Sequence, residues 1–147
     1  MEELSGGCQC GRVRYSVEVE PDTAYACHCT VCRKATGGVW IALVSVPLNR
    51  IHWQGKPDWY QSSAIGHRAF CPKCGTPIGF AFVDDLIDLD LTVGSFDRPD
   101  RFRPAQNRCV ESMLPGWTNL DNLPAEHADK DERTRRNWRE AQSGPPR

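Results

Sequence analysis

Alternation of apolar and polar positions is strongest in two stretches of this chain. Between residues 11 and 19, Val13, Tyr15 and Val17 fall on one side of an extended segment, with Arg12, Arg14 and Ser16 on the other. That period of two marks a half-buried strand. Between 87 and 93, Ile87, Leu89, Leu91 and Val93 alternate with Asp88, Asp90 and Thr92, which predicts a second strand with both aspartates on a solvated face. The stretch 39–46 is largely apolar and rich in β-branched residues, so it reads as a central strand ending at Pro47. Weaker signals put strands at 23–27, 68–71, 78–83 and 108–112. The segments 50–54 and 58–62 predict a hairpin turning at Gly55, Lys56 and Pro57. One helical turn is expected at 30–35, stopped by Gly37 and Gly38. From 125 to 142 the pattern gives way to charges of both signs among helix formers. This predicts a surface helix that docks through Trp138 and frays after Ser143. Many short strands punctuated by Gly and Pro imply a mainly β fold of short antiparallel strands with a C-terminal surface helix.

Composition narrows the class. At 147 residues and 39% hydrophobic content, the chain suits one core of ordinary size. A net charge of -1 supplies no long-range field toward nucleic acid or a membrane surface. No apolar run approaches the length of a membrane span. The segment Met1-Glu-Glu-Leu-Ser is acidic and has no apolar signal region, so the expected location is the cytoplasm. Thiols stay reduced there, and grouped cysteines read as metal ligands ahead of disulfides.

Cysteine spacing carries the chemistry. Seven of the eight cysteines fall into three groups: Cys8 and Cys10; Cys27, Cys29 and Cys32; Cys71 and Cys74. Cys71-x-x-Cys74-Gly75 is a knuckle, in which two intervening residues let both sulfurs turn toward one ion. A pair supplies half a tetrahedron, and Cys8 with Cys10 is the pair available to complete it. Cys27, Cys29 and Cys32 then form a second site with one position open to a thiol, a water or a carbonyl. Two alternatives stay open on spacing alone. The trio can lend a pair to the knuckle and leave Cys8 and Cys10 free, or Cys109 or a histidine can close the trio's site. His28, between Cys27 and Cys29, would point away from both in an extended segment, as a supporting or core residue rather than a ligand. His52, His67 and His127 read as solvated or core histidines. Trp40, Trp53, Trp59 and Trp117 are expected mostly in the core.

The stretches Gly6-Gly-Cys-Gln-Cys-Gly-Arg-Val-Arg-Tyr, Cys27-His-Cys-Thr-Val-Cys-Arg-Lys-Ala-Thr-Gly-Gly and Arg68-Ala-Phe-Cys-Pro-Lys-Cys-Gly-Thr-Pro-Ile carry a family resemblance. Together they resemble the glutathione-dependent formaldehyde-activating enzyme (GFA) family, which also includes centromere protein V-like proteins. The resemblance runs over about residues 5–125 and implies a zinc-stabilised, Mss4-like domain there, with a charged helix and tail at 126–147. It implies two zinc ions, one structural on Cys8, Cys10, Cys71 and Cys74, the other catalytic on Cys27, Cys29 and Cys32. It also implies a carbon–sulfur lyase activity, joining glutathione and formaldehyde as S-hydroxymethylglutathione. Family members often carry a histidine-led segment before a Ser and a Pro-Trp. The corresponding stretch here runs from Asn107 to Trp117, has no histidine, and places Gly116 between Pro115 and Trp117.

Arg33, Lys34 and Arg68 flank the cysteine groups and read as solvated charges, with pairing to glutathione carboxylates as their functional alternative. A zinc-stabilised binding module without chemistry is the second reading, with the tryptophans as a contact surface. Nucleic-acid or cytoskeletal binding is disfavoured, because Arg133, Arg135, Arg136 and Arg139 are offset by Asp129, Asp131, Glu132 and Glu140.

Overall fold

The computed structural model describes residues 1–84 and 87–141. The chain divides into two compact units, Met1–Leu114 and Pro115–Arg147.

The first unit is built from two sheets. The smaller has three strands in the order β1 (Glu2–Gly7), β2 (Arg14–Val19) and β5 (His52–Gln54). The larger takes up β3 (Ala24–Cys27), β4 (Ile41–Pro47), β6 (Asp58–Ser63), β7 (Gly66–Phe70), β8 (Pro77–Phe82), β9 (Asp88–Thr92) and β10 (Pro104–Arg108). Its spatial order is β10-β3-β4-β9-β8-β7-β6, antiparallel throughout except for the parallel pair β10–β3. The expected mainly β fold is therefore present.

The alternating segment at 11–19 behaves as its pattern demands. Val13, Tyr15, Val17 and Val19 are all buried, and they share one core cluster with Val44, Val46, Leu89 and Leu91 of the larger sheet. Tyr15 fits there because its phenol has a partner, Ser95 Oγ at 2.7 Å, while its ring meets Trp53 and Phe96 edge-on. The centre of the larger sheet is the β4–β9 ladder, with Val44 opposite Leu91 and Val46 opposite Leu89. A second, smaller cluster of Tyr25, Cys27, Cys32, Ile41 and Leu43 forms where β3 and β4 meet the helix α1 (Thr30–Thr36).

Four expectations need correction. The segments 50–54 and 58–62 do not form a hairpin: β5 pairs with β2, and β6 pairs with β7. Pro57, buried and without an N–H, ends ladder pairing at the link, so the chain passes from one sheet to the other. The last strand is 104–108 rather than 108–112, because Cys109 takes a left-handed conformation and a 3-10 turn follows at Val110–Ser112. Asp90 is buried and does not share a solvated face with Asp88, since β9 is covered on both sides. Trp40 and Trp59 are exposed at 42% and 37%, Trp117 is exposed too, and of the four named only Trp53 packs on the core.

In the second unit the helix α2 (Glu132–Glu140) begins later than residue 125. Asp131 sets its start by accepting from the backbone N–H of Arg133 and Thr134. Trp138 is half-buried. The expected fraying after Ser143 lies outside the described residues.

Candidate metal centres

Each cysteine group is shaped by a local turn. At 8–13 the Cys8 N–H donates to Val13 O at 2.9 Å, and Val13 N–H donates to Cys8 Sγ at 3.2 Å. At 71–76 the Gly75 N–H donates to Cys71 O at 2.8 Å and Cys71 N–H to Thr76 O at 3.0 Å. Both turns close on a glycine in the left-handed region, Gly11 at φ 77° and Gly75 at φ 75°. A side chain is disfavoured in that conformation. The two turns meet: Gln9 N–H donates to Thr76 Oγ1 at 3.2 Å, and Cys10 Sγ lies 3.7 Å from Cys71 Sγ.

The third group has another construction. β3 delivers Cys27, and the chain then enters α1, whose N-cap is Cys29. Cys29 Sγ accepts from Cys32 N–H at 3.2 Å, a sulfur doing what a Ser or Asp oxygen does at most helix starts. Gly37 ends the helix, its N–H returning to Arg33 O at 2.8 Å.

The structure thus brings together Cys8, Cys10, Cys71 and Cys74 as one group, and Cys27, Cys29 and Cys32 as another. Within each, all sulfurs lie within 4.8 Å of one another. Neither group includes a histidine, and the trio does not lend a pair to the knuckle. Soft thiolate donors are what zinc takes in closed sites. Zn–S bonds of about 2.3 Å place tetrahedral sulfurs about 3.8 Å apart. The Cys8–Cys10 separation of 3.5 Å and the Cys10–Cys71 separation of 3.7 Å suit that edge.

The two groups differ in surroundings. The thiol of Cys74 is drawn down to about 5, first by the Thr76 hydroxyl, whose Oγ1 is 3.1 Å away, then by the Thr76 N–H. Cys32 is driven the other way: burial pushes its thiol up to about 12, opposed by Arg68, whose Nη2 donates to Cys32 Sγ at 3.4 Å. Arg68 is therefore no solvated charge; it is 6% exposed, and its guanidinium lies 5.1 Å from the Phe80 ring centroid. Arg33 is half-buried and donates to Ser112 O at 3.1 Å, whereas Lys34 is exposed. His28 is buried, and its Nε2 meets Asn107 Oδ1 at 3.0 Å. It supports the Cys27–Cys29 segment from outside the sulfur group. Cys109 is exposed and stands outside the group of three mutually close sulfurs.

Sequence reasoning missed Asn107 and the burial of Arg68. The signal for Asn107 was its place opposite Ala26 in a parallel pairing that no local pattern announces. A cavity of about 220 Å³ lies beside Arg68, with Thr36, Leu43, Tyr60 and Thr92 also in its wall. A larger groove of about 430 Å³, lined by Trp53, Trp59, Lys56 and His67, touches none of the seven cysteines.

Two sheets carry one four-thiol and one three-thiol group, each with its sulfurs close enough together to hold a metal ion. Residues 3–112 match the model of the family described as "Glutathione-dependent formaldehyde-activating enzyme", and the chain belongs to that family. A Halomonas elongata protein named "Putative glutathione-dependent formaldehyde-activating enzyme" is 31% identical over 81% of this chain and 82% of its own length. A Schizosaccharomyces pombe protein named "Uncharacterized lyase" is 27% identical over 57% of this chain, and the match spans 61% of that relative's length. A crystal structure of a Rhodobacter sphaeroides protein shares the fold, with a TM-score of 0.57 and 19% identity over 71% of this chain and 99% of that one. Among the described residues, no helix is long and apolar enough to cross a membrane.

Proposed function

We propose that this protein is a zinc-dependent carbon–sulfur lyase acting on an adduct of glutathione or a similar small thiol, such as S-hydroxymethylglutathione. The observation that carries the reading is the unequal completeness of the two sulfur groups, four against three. Cys8, Cys10, Cys71 and Cys74 are assigned a structural ion, and Cys27, Cys29 and Cys32 a catalytic one. A zinc ion on the trio would supply an electrophilic centre with one position for an incoming sulfur.

The chain's own residues do the remaining work. Cys27 at the end of β3, Cys29 at the N-cap of α1 and Cys32 within α1 would supply three of four ligands, and the incoming thiol would take the fourth position. The His28–Asn107 hydrogen bond holds the segment between two of these donors. In the reaction the thiol sulfur bonds to the aldehyde carbon, the carbonyl π pair becomes the new hydroxyl oxygen's, and the thiol proton ends on that oxygen. Lysis runs the same path backward. Holding sulfur and carbonyl together replaces a bimolecular encounter. Family membership and the names of the two relatives support this class of reaction.

The test is exchange spectroscopy on carbon-13 formaldehyde with glutathione, with and without protein. The reading expects faster exchange between free and thiol-bound carbon, lost in Cys29→Ser. Unchanged exchange with both metals bound would replace it with the binding-module reading, to which the exposed Trp40 and Trp59 would then belong.

A further inference from the structure

Among the described residues, Arg68 is the buried member of the lysines and arginines. It makes no carboxylate ion pair there, and its Nε has no hydrogen-bond partner. A buried guanidinium keeps its charge, and so requires an anion nearby. The group within its reach is the sulfur of Cys32, 3.4 Å from Nη2, which becomes an anion once a metal ion holds it. β7 fixes this placement: Arg68 sits between Tyr60 of β6 and Phe80 of β8, with Phe80 beneath its guanidinium.

Charge counting gives the arrangement a purpose. Three thiolates around a dication leave a net single negative charge. A fourth, anionic sulfur doubles it in surroundings poor in water, where like charge is costly. A neutral fourth ligand adds nothing.

We propose that Arg68 is a positioning residue that makes the three-cysteine centre select a thiolate: its guanidinium, held on Cys32, supplies the positive charge against which a fourth anionic sulfur is accepted. The inference rests on the function proposed above and adds the determinant of ligand choice.

The test uses the full chain loaded with cobalt at both centres, as wild type, Arg68→Gln, Arg68→Met and Arg68→Lys. Glutathione probes the anionic ligand and imidazole the neutral one, each followed by the cobalt absorption bands. The neutral variants are expected to lose about tenfold or more in glutathione affinity relative to imidazole, the scale of a charge-assisted contact. Lysine, which keeps the charge, recovers most of that ratio. An unchanged ratio in a neutral variant that holds both metals overturns the inference and leaves the proposed function intact. Loss of the second metal from both neutral variants also overturns it, since Arg68 would then retain the ion rather than select its ligand. Indifference of the wild type to glutathione defeats the functional reading itself.

Discussion

Cys10 Sγ and Cys71 Sγ lie 3.7 Å apart although 61 residues separate them in the chain. One ion at this junction would tie the turn before β2 to the turn between β7 and β8, and so one sheet to the other. Structural zinc contributes about 10 kcal/mol or more of apparent folding free energy in small domains. Cys71 is fully buried. Cys71→Ser is expected to abolish cooperative unfolding and to lose metal from the four-cysteine centre, as read by circular dichroism and metal analysis. A variant that melts like the wild type would show that this centre is not scaffold.

The trio is expected to behave differently. Its smaller cluster of five buried residues stands apart from the main core cluster. Cys27→Ser should therefore bind one metal ion fewer per chain and still give the wild-type circular dichroism spectrum. Loss of both metals, or of the fold, would contradict the division of labour.

Gly75 gives a cleaner test of the knuckle. A Cβ there would meet nothing within 4 Å, so only the backbone at φ 75° resists a side chain. Gly75→Ala should cost about 1–2 kcal/mol, the strain of one L-residue in the left-handed region. Chemical denaturation with metal present measures it. No loss would mean that the turn relaxes at no cost.

Asp90 carries a pH signature. Burial raises its carboxyl above the ordinary range, more than Tyr25, Ser45 and Arg108 can offset. A raised folded-state value means the folded protein holds the proton longer than the unfolded chain. The contribution to stability is then complete below the unfolded value of about 3.9, and is lost as pH rises through the folded one. Asp90→Asn removes this loss. Its stability relative to wild type should be higher at neutral pH than in mild acid, and a difference constant with pH would refute the assignment.

Much of this is legible in the chain because cysteine spacing and period-two alternation act locally. Val13, Tyr15 and Val17 announce their buried face, and the density of the trio announces a group separate from the other four cysteines. What stays hidden depends on neighbours distant in sequence. Arg68 looks like any exposed strand residue until β8 and α1 enclose it. β10 has no apolar face to detect, since all five of its residues are exposed and its order comes from pairing with β3. The supposed hairpin failed for a related reason: a short link with a proline marks a turn but does not say whether the two strands join the same sheet.

The most direct test of the central claim is a glutathione titration of the doubly cobalt-substituted protein, followed by absorption. The account predicts that one centre's bands shift to saturation while the other's stay fixed, and that the shifting bands are missing in Cys27→Ser. Two occupied centres, both unmoved by the thiol, would contradict it.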